Sequence, residues 1–190
     1  MFTEYKWFSW PKFFSVDELR ELNNVFSQDG DKNFFDVYAG YGTTSELTIN
    51  LKSVSTIKKT SWQSCKSLVE DIDARVYLTN KIKYGYALHP SSSDLMHNTY
   101  NKGDSYGWHQ DGSNNNEYDL KFTVVINNSL QSYEGGELQI FQQGGPQTIK
   151  ELNEPGSVVM FKSDIPHRVT EVTKGTRNSI VYWKDGPKFT

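Results

Sequence analysis

Cysteine is almost missing from this chain: Cys65 is the single one in 190 residues. No intrachain disulfide is possible, so the fold must rest on a packed core, and a reducing compartment is the natural setting. Long apolar runs are missing too, none approaching the roughly 20 residues of a membrane span. The first residues, Met1-Phe2-Thr3-Glu4-Tyr5-Lys6, lack the basic-then-apolar pattern of a secretory leader. Neither sign of charge dominates, with 20 Lys+Arg against 23 Asp+Glu and a formal charge of −3. That argues against a nucleic-acid footprint over the whole surface and leaves room only for a local basic groove. Repeats, low-complexity tracts and linkers are also lacking. The expectation is a soluble, cytoplasmic protein with neither a membrane nor a nucleic acid as partner. Its oligomeric state is not legible.

A chain of this length buries a proper core as one domain. Aromatic residues reach 14%, which suits a strand-rich fold. They begin early, with Tyr5, Trp7, Phe8, Trp10, Phe13 and Phe14, and predict a strand over an edge of the core. Ser15 and Glu18 then form a capping box, with Phe14 and Leu19 at the staple positions. Leu19, Leu22, Val25 and Phe26 are that helix's buried stripe, and Gln28-Asp29-Gly30 ends it. Residues 33 to 55 read as short strands around the Gly40-Tyr41-Gly42 turn.

A second helix is predicted from about Thr60 to Leu78, with Trp62, Cys65, Leu68, Val69, Ile72 and Val76 on one stripe. Beyond Asn80 the period changes to alternation. Strands are predicted near 82–88, 94–101, 119–127, 136–142, 156–162, 167–173 and 177–184, separated by Gly- and Pro-rich turns. The fold class expected is α+β, mainly β: a jelly roll with N-terminal helices backing one sheet. Support from helices and strands covers about residues 1–80 and the jelly-roll core about 81–186 of a single domain, 1–190.

The chemistry gathers in Tyr100-Asn101-Lys102-Gly103-Asp104-Ser105-Tyr106-Gly107-Trp108-His109-Gln110-Asp111. His109 and Asp111 stand two apart, so on an extended strand both leave the same face. His167 offers a third ligand far along the chain. Two His and one carboxylate on one side of a metal leave the other positions open, the facial triad of non-haem Fe(II) oxygenases. Ten residues past His167 comes Arg177, then Ser179. His89 and His97 have no partner at ligand spacing and read as structural or exposed. Trp108 should point away from the metal by alternation.

These residues, with Gly135-Gly136-Glu137-Leu138 and Pro155-Gly156-Ser157, make the chain resemble the Fe(II)/2-oxoglutarate-dependent dioxygenases. The narrower likeness is to the prolyl-4-hydroxylase-like, PKHD-type hydroxylases, over roughly residues 82 to 185. The resemblance implies a double-stranded β-helix binding Fe(II), 2-oxoglutarate and O2, with ascorbate as a reductant. It implies hydroxylation of a C–H bond, with 2-oxoglutarate leaving as succinate and CO2. His109, Asp111 and His167 would be the metal ligands and the catalytic centre. Arg177, with its two-pronged guanidinium, would hold the distal carboxylate of 2-oxoglutarate on a strand beside that of His167, helped by Ser179 and Tyr100. Tyr106 and Trp183 match positions that press around a target proline.

One departure matters for the substrate. Such prolyl hydroxylases carry an arginine three residues before the strand threonine, and here Leu120 stands three before Thr123, with Lys121 beside it. The substrate partner is therefore a peptidyl proline or, alternatively, a free amino acid or other small molecule. Loops 28–58 and 128–135 would shape the entrance. Two other classes use the same residues differently. A zinc hydrolase would keep the triad but has no use for Arg177 with Ser179. A non-catalytic jelly-roll binding module would not keep the triad intact.

Overall fold

The computed structural model describes residues 7–28, 31–32, 52–90, 92–112 and 118–188. Residues 1–6, the Asp29-Gly30 helix stop and the Gly40-Tyr41-Gly42 turn lie outside the described residues. In chain order come β1 (Trp7–Trp10), α1 (Val16–Gln28), β2 (Asp31–Lys32), β3 (Lys52–Ser53), β4 (Thr56–Thr60) and α2 (Trp62–Lys83). Then follow β5 (Leu95–Asn101), β6 (Ser105–His109), β7 (Tyr118–Asn127), β8 (Glu134–Gly135), β9 (Leu138–Gln142) and β10 (Gly145–Thr148). A short 3-10 turn (Lys150–Asn153) precedes β11 (Val158–Lys162), β12 (His167–Val169), β13 (Val172–Lys174) and β14 (Thr176–Pro187).

These strands make a seven-stranded major sheet, ordered β1-β11-β7-β14-β5-β4-β2, and a five-stranded minor sheet, ordered β10-β9-β12-β6-β3. A small β13-β8 ribbon stands apart, and the strand pairs are antiparallel. This is the expected mainly-β jelly roll.

The helices form for the reasons the sequence gives. Glu18 Oε2 accepts from the Ser15 backbone N–H at 2.7 Å, while Ser15 Oγ accepts from the Glu18 N–H at 3.3 Å. That reciprocal pair satisfies donors that the first turn would leave bare. Leu19, Leu22 and Phe26 are buried with Val69, Ile72 and Val76 of α2 against Phe122, Ile126, Met160 and Ile180 of the major sheet. A second core fills the space between the two sheets, with Tyr100, Val125, Ile140, Val159, Phe161 and Val169. Strand alternation divides the two cores: on β14, Arg177, Ser179 and Trp183 alternate with Ile180 and Tyr182, which join the helix-side core.

Several expectations need correction. The strand predicted near 82–88 does not form. Helix α2 runs on to Lys83, and residues 84–90 are irregular. Asn80 is the reason: it is a buried clasp inside the last turn. Its side-chain Nδ2 donates to Tyr86 O at 2.8 Å, and Oδ1 accepts from Tyr86 N–H at 3.1 Å. Tyr86 thus spends its backbone groups on a side chain instead of a neighbouring strand. The true stop is Gly85, at φ 74°. The alternation of Tyr84 and Tyr86 is real but serves side-chain packing, with both rings against Phe122.

Strand β6 was not among the strands predicted, because Ser105, Gly107 and its flanking turns mask its period. The single strand predicted over 167–173 is broken into β12 and β13. β14 does not run beside the strand of His167: it pairs with β5 and β7 in the major sheet, whereas β12 belongs to the minor sheet. The chain crosses between sheets at β13 and turns at Gly175 (φ 73°). Finally, β1 and β4 belong to the major sheet, so the N-terminal segment extends that sheet as well as backing it.

Candidate active site

The two histidines face each other directly across adjacent strands, His167 on β12 opposite His109 on β6. Their ring centroids lie 4.1 Å apart. Asp111 follows β6 and is held by its own backbone, its N–H donating to Ser163 O at 3.0 Å. The carboxylate reaches back between the rings: Asp111 Oδ1 is 3.7 Å from His109 Nε2, and Oδ2 is 3.6 Å from His167 Nε2. One ligand atom from each of the three residues lies within 4.8 Å of the others. At ordinary metal–ligand distances, donors at right angles stand about 3 Å apart. The closest pairs stand about 0.6–0.7 Å wider than that, so a small inward movement of the side chains would close the cluster on an ion.

The tautomers point the same way. His109 Nδ1 donates to Gly107 O at 2.8 Å, and His167 Nδ1 donates to Ile165 O at 2.9 Å. A backbone carbonyl only accepts, so each Nδ1 carries a proton, and Nε2 is the nitrogen left to present a lone pair to the cluster. This donor set fits a divalent ion, with the two imidazoles already in the ligating tautomer.

Arg177 sits in the inter-sheet space and is 2% exposed. Its Nη1 donates to Ser179 Oγ at 2.9 Å, and its guanidinium lies 5.3 Å from the Tyr100 ring, its neighbour across β5. Among the described residues no carboxylate pairs with it; Asp185 pairs instead with His89. A buried cation of this kind calls for an anionic partner. Burial pushes the Tyr100 hydroxyl up to about 12 despite the nearby Arg177 charge, so it stays protonated and can donate to such an anion. Gly136, at φ 60°, makes room: a Cβ there would stand 2.8 Å from Arg177 Cδ. Arg177, Ser179 and Tyr100 are brought together as expected.

Tyr106 and Trp183 both touch the cluster. The Tyr106 ring stacks on His109 with centroids 3.7 Å apart. Burial, and then the Asp111 charge, hold its hydroxyl well above the usual tyrosine range. Trp183 Nε1–H donates to Asp111 Oδ2 at 2.9 Å. The same oxygen accepts from Thr123 Oγ1 at 2.6 Å. Thr123 and its neighbour Ser163 were not singled out from the sequence as site residues. The available signal was a hydroxyl inside the apolar run Phe122-Thr123-Val124-Val125-Ile126.

Trp108 points away from the cluster, against Phe141 and under the Arg168 guanidinium. His97 lies buried beside Phe26 with Nε2 near Asn23, and His89 is near the surface. Neither joins the site.

Comparison with known proteins agrees with this geometry. A model of the 2OG-Fe(II) oxygenase superfamily matches residues 95–185. A PKHD-type hydroxylase of Crocosphaera subtropica is 34% identical over 175 residues, covering 88% of this chain and 72% of that protein. The chain belongs to this family. It is an Fe(II)- and 2-oxoglutarate-dependent dioxygenase. A PKHD-type hydroxylase of Parvibaculum lavamentivorans is 37% identical over 91 residues, 47% of this chain and 40% of that one. Among solved structures, a Pseudomonas putida prolyl-4-hydroxylase superposes with a TM-score of 0.69 at 17% identity, over 95% of this chain and 92% of that one. A viral collagen prolyl hydroxylase from Paramecium bursaria chlorella virus 1 gives 0.70 at 13%, over 96% and 97%. These likenesses establish the double-stranded β-helix. Among the described residues, no helix is long and apolar enough to cross a membrane.

Proposed function

We propose that this dioxygenase hydroxylates a peptidyl proline, with 2-oxoglutarate leaving as succinate and CO2. His109, Asp111 and His167 hold the metal, and Arg177, Ser179 and Tyr100 hold the distal carboxylate of the cosubstrate. The observation that carries the substrate reading is the pair of aromatic rings at the cluster, Tyr106 on His109 and Trp183 on Asp111. Rigid aromatic walls give a small, flat aliphatic ring broad contact at little conformational cost. The bound iron, with 2-oxoglutarate and O2, supplies a one-oxygen oxidation. The chain's own part is to position and to exclude water. The imidazoles keep their Nε2 lone pairs available. Arg177 orients the dicarboxylate from the opposite sheet, and Phe161 against His167 keeps that side dry.

A second reading, a free amino acid or other small molecule, is favoured by Leu120 where a peptide-holding arginine would stand. A cavity of about 330 Å³ opens beside Asp111, lined by Tyr86, Asp119, Leu120, Lys121, Lys162 and Asp164, a size at the lower end for small-molecule sites; Tyr106 and Trp183 do not line it. Proline-containing peptides incubated with enzyme, Fe(II), ascorbate and 2-oxoglutarate should gain one oxygen atom on a proline by mass spectrometry. Turnover with a small molecule and none on any proline would replace the first reading with the second.

A further inference from the structure

Among the described residues, Asp111 Oδ2 is occupied by hydrogen bonds from protein in a way that Oδ1 is not. A carboxylate oxygen carries two in-plane lone pairs, and Oδ2 already accepts from Thr123 Oγ1 at 2.6 Å and from Trp183 Nε1 at 2.9 Å. Thr123 and Trp183 are direct cross-strand partners on β7 and β14. Their side chains therefore leave the same face of the major sheet and converge on one atom.

The direction of each proton follows. An ionised carboxylate only accepts, so Thr123 must donate its single hydroxyl hydrogen to Asp111. The Ser163 hydroxyl, 3.0 Å from Thr123 Oγ1, must then donate to Thr123. Thr123 is 2% exposed and Ser163 is fully buried, so water does not compete for these bonds. Trp183 is clamped in turn, its backbone N–H donating to Ser93 Oγ at 2.8 Å and its carbonyl accepting from Ser93 N–H at 3.1 Å. The next residue, Lys184, is fully buried against Asp73 and Ser92.

We infer that Trp183 and Thr123 are positioning residues that saturate Oδ2 and thereby make Asp111 a one-oxygen metal ligand through Oδ1. This rests on the reading of Asp111 as a ligand. It gives Trp183 a task beyond contact with substrate. A two-oxygen carboxylate would use up a position that the cosubstrate and O2 need; the indole N–H and the threonine hydroxyl keep that position open.

The test uses the whole chain with Co(II) alone as probe, measuring affinity by calorimetry and coordination by the visible d–d spectrum. Trp183→Phe keeps a ring and loses the N–H; Thr123→Val keeps the shape and loses the hydroxyl. Each should weaken Co(II) binding by about 10-fold or more, the range for partners behind metal ligands, and should change the spectrum of the bound ion. Thr123→Ser should restore both affinity and spectrum. Wild-type affinity and spectrum in Trp183→Phe and Thr123→Val, with binding lost in Asp111→Ala, would overturn this inference and leave the ligand reading standing. Weakened affinity with an unchanged bound spectrum and a lowered melting temperature of the metal-free variants would reduce both residues to a structural role and also overturn it. Undiminished binding in Asp111→Ala would overturn the ligand reading and this inference together.

Discussion

Replacing Arg177 by Met tests the cosubstrate site from two sides at once. The side chain keeps its length and loses its charge. The guanidinium is 2% exposed, donates to Ser179 and has no carboxylate partner among the described residues. Its desolvation is therefore a cost that only Ser179 and the Tyr100 ring offset. Arg177→Met should leave the melting temperature of the free protein unchanged or raise it. Binding of 2-oxoglutarate should respond in the opposite sense. Truncating one side of a buried charge pair costs roughly 2–5 kcal/mol, which at about 1.4 kcal/mol per decade is roughly 30-fold to 5,000-fold in affinity. Arg177→Lys should fall between, since it restores the charge but not the two parallel donors. Anaerobic calorimetry with Mn(II)-loaded protein reads the affinity, and melting in the absence of ligand reads the stability. Undiminished 2-oxoglutarate binding in Arg177→Met would refute the assignment. A large loss of stability in the free protein would refute the claim that the buried cation awaits a ligand.

Two further outcomes concern the frame around the site. Lys184 is fully buried, with burial lowering its pKa, and its ammonium donates to Asp73 at 3.2 Å and Ser92 at 2.7 Å. Asp73→Ala leaves that cation uncompensated and should cost about 3–5 kcal/mol in urea unfolding, whereas the double change with Lys184→Met should recover most of it. His97 is held down to about 4 by burial, and next by the Lys58 charge. Because its folded pKa lies below the unfolded value near 6.5, no stability is at stake above pH 6.5. Below that the unfolded chain takes up the proton first, and stability falls by about 1.4 kcal/mol per pH unit until about pH 4. Between pH 7 and 5 the loss should be about 2 kcal/mol, and His97→Gln should remove it from the pH profile.

The legibility of the site and of its frame differ for physical reasons. His109, Asp111, His167, Arg177 and Ser179 could be read because each chemical role demands a residue type at a spacing that strand alternation makes meaningful. Thr123 and Ser163 escaped, because a buried hydroxyl leaves no periodic trace, and its task shows only when another strand brings Asp111 to it. The same limit explains β14. Alternation along it gave the row Arg177, Ser179 and Trp183, but no local signal says which sheet a strand joins, and its neighbours proved to be β5 and β7. At residues 82–88 a true alternation of tyrosines was outweighed by one amide side chain, Asn80, that took the backbone bonds a strand would have used.

The placement of β14 in the major sheet has a mechanical consequence. Both histidines stand on the minor sheet, on adjacent strands β6 and β12. Arg177, Trp183 and Thr123 stand on the major sheet, on the adjacent strands β14 and β7. Asp111 lies between them, tethered by its backbone to Ser163 and by its carboxylate to Thr123 and Trp183. A dicarboxylate bound between the metal cluster and Arg177, as proposed above, would span both sheets and add a polar link to those that Asp111 already makes. If both layers must be in place to bind the cosubstrate, cosubstrate and metal should stabilise the fold more together than separately. The aromatic walls, Tyr106 from the minor sheet and Trp183 from the major one, come from the same two layers. On the proposed reading, metal, cosubstrate and substrate would each be held by both layers.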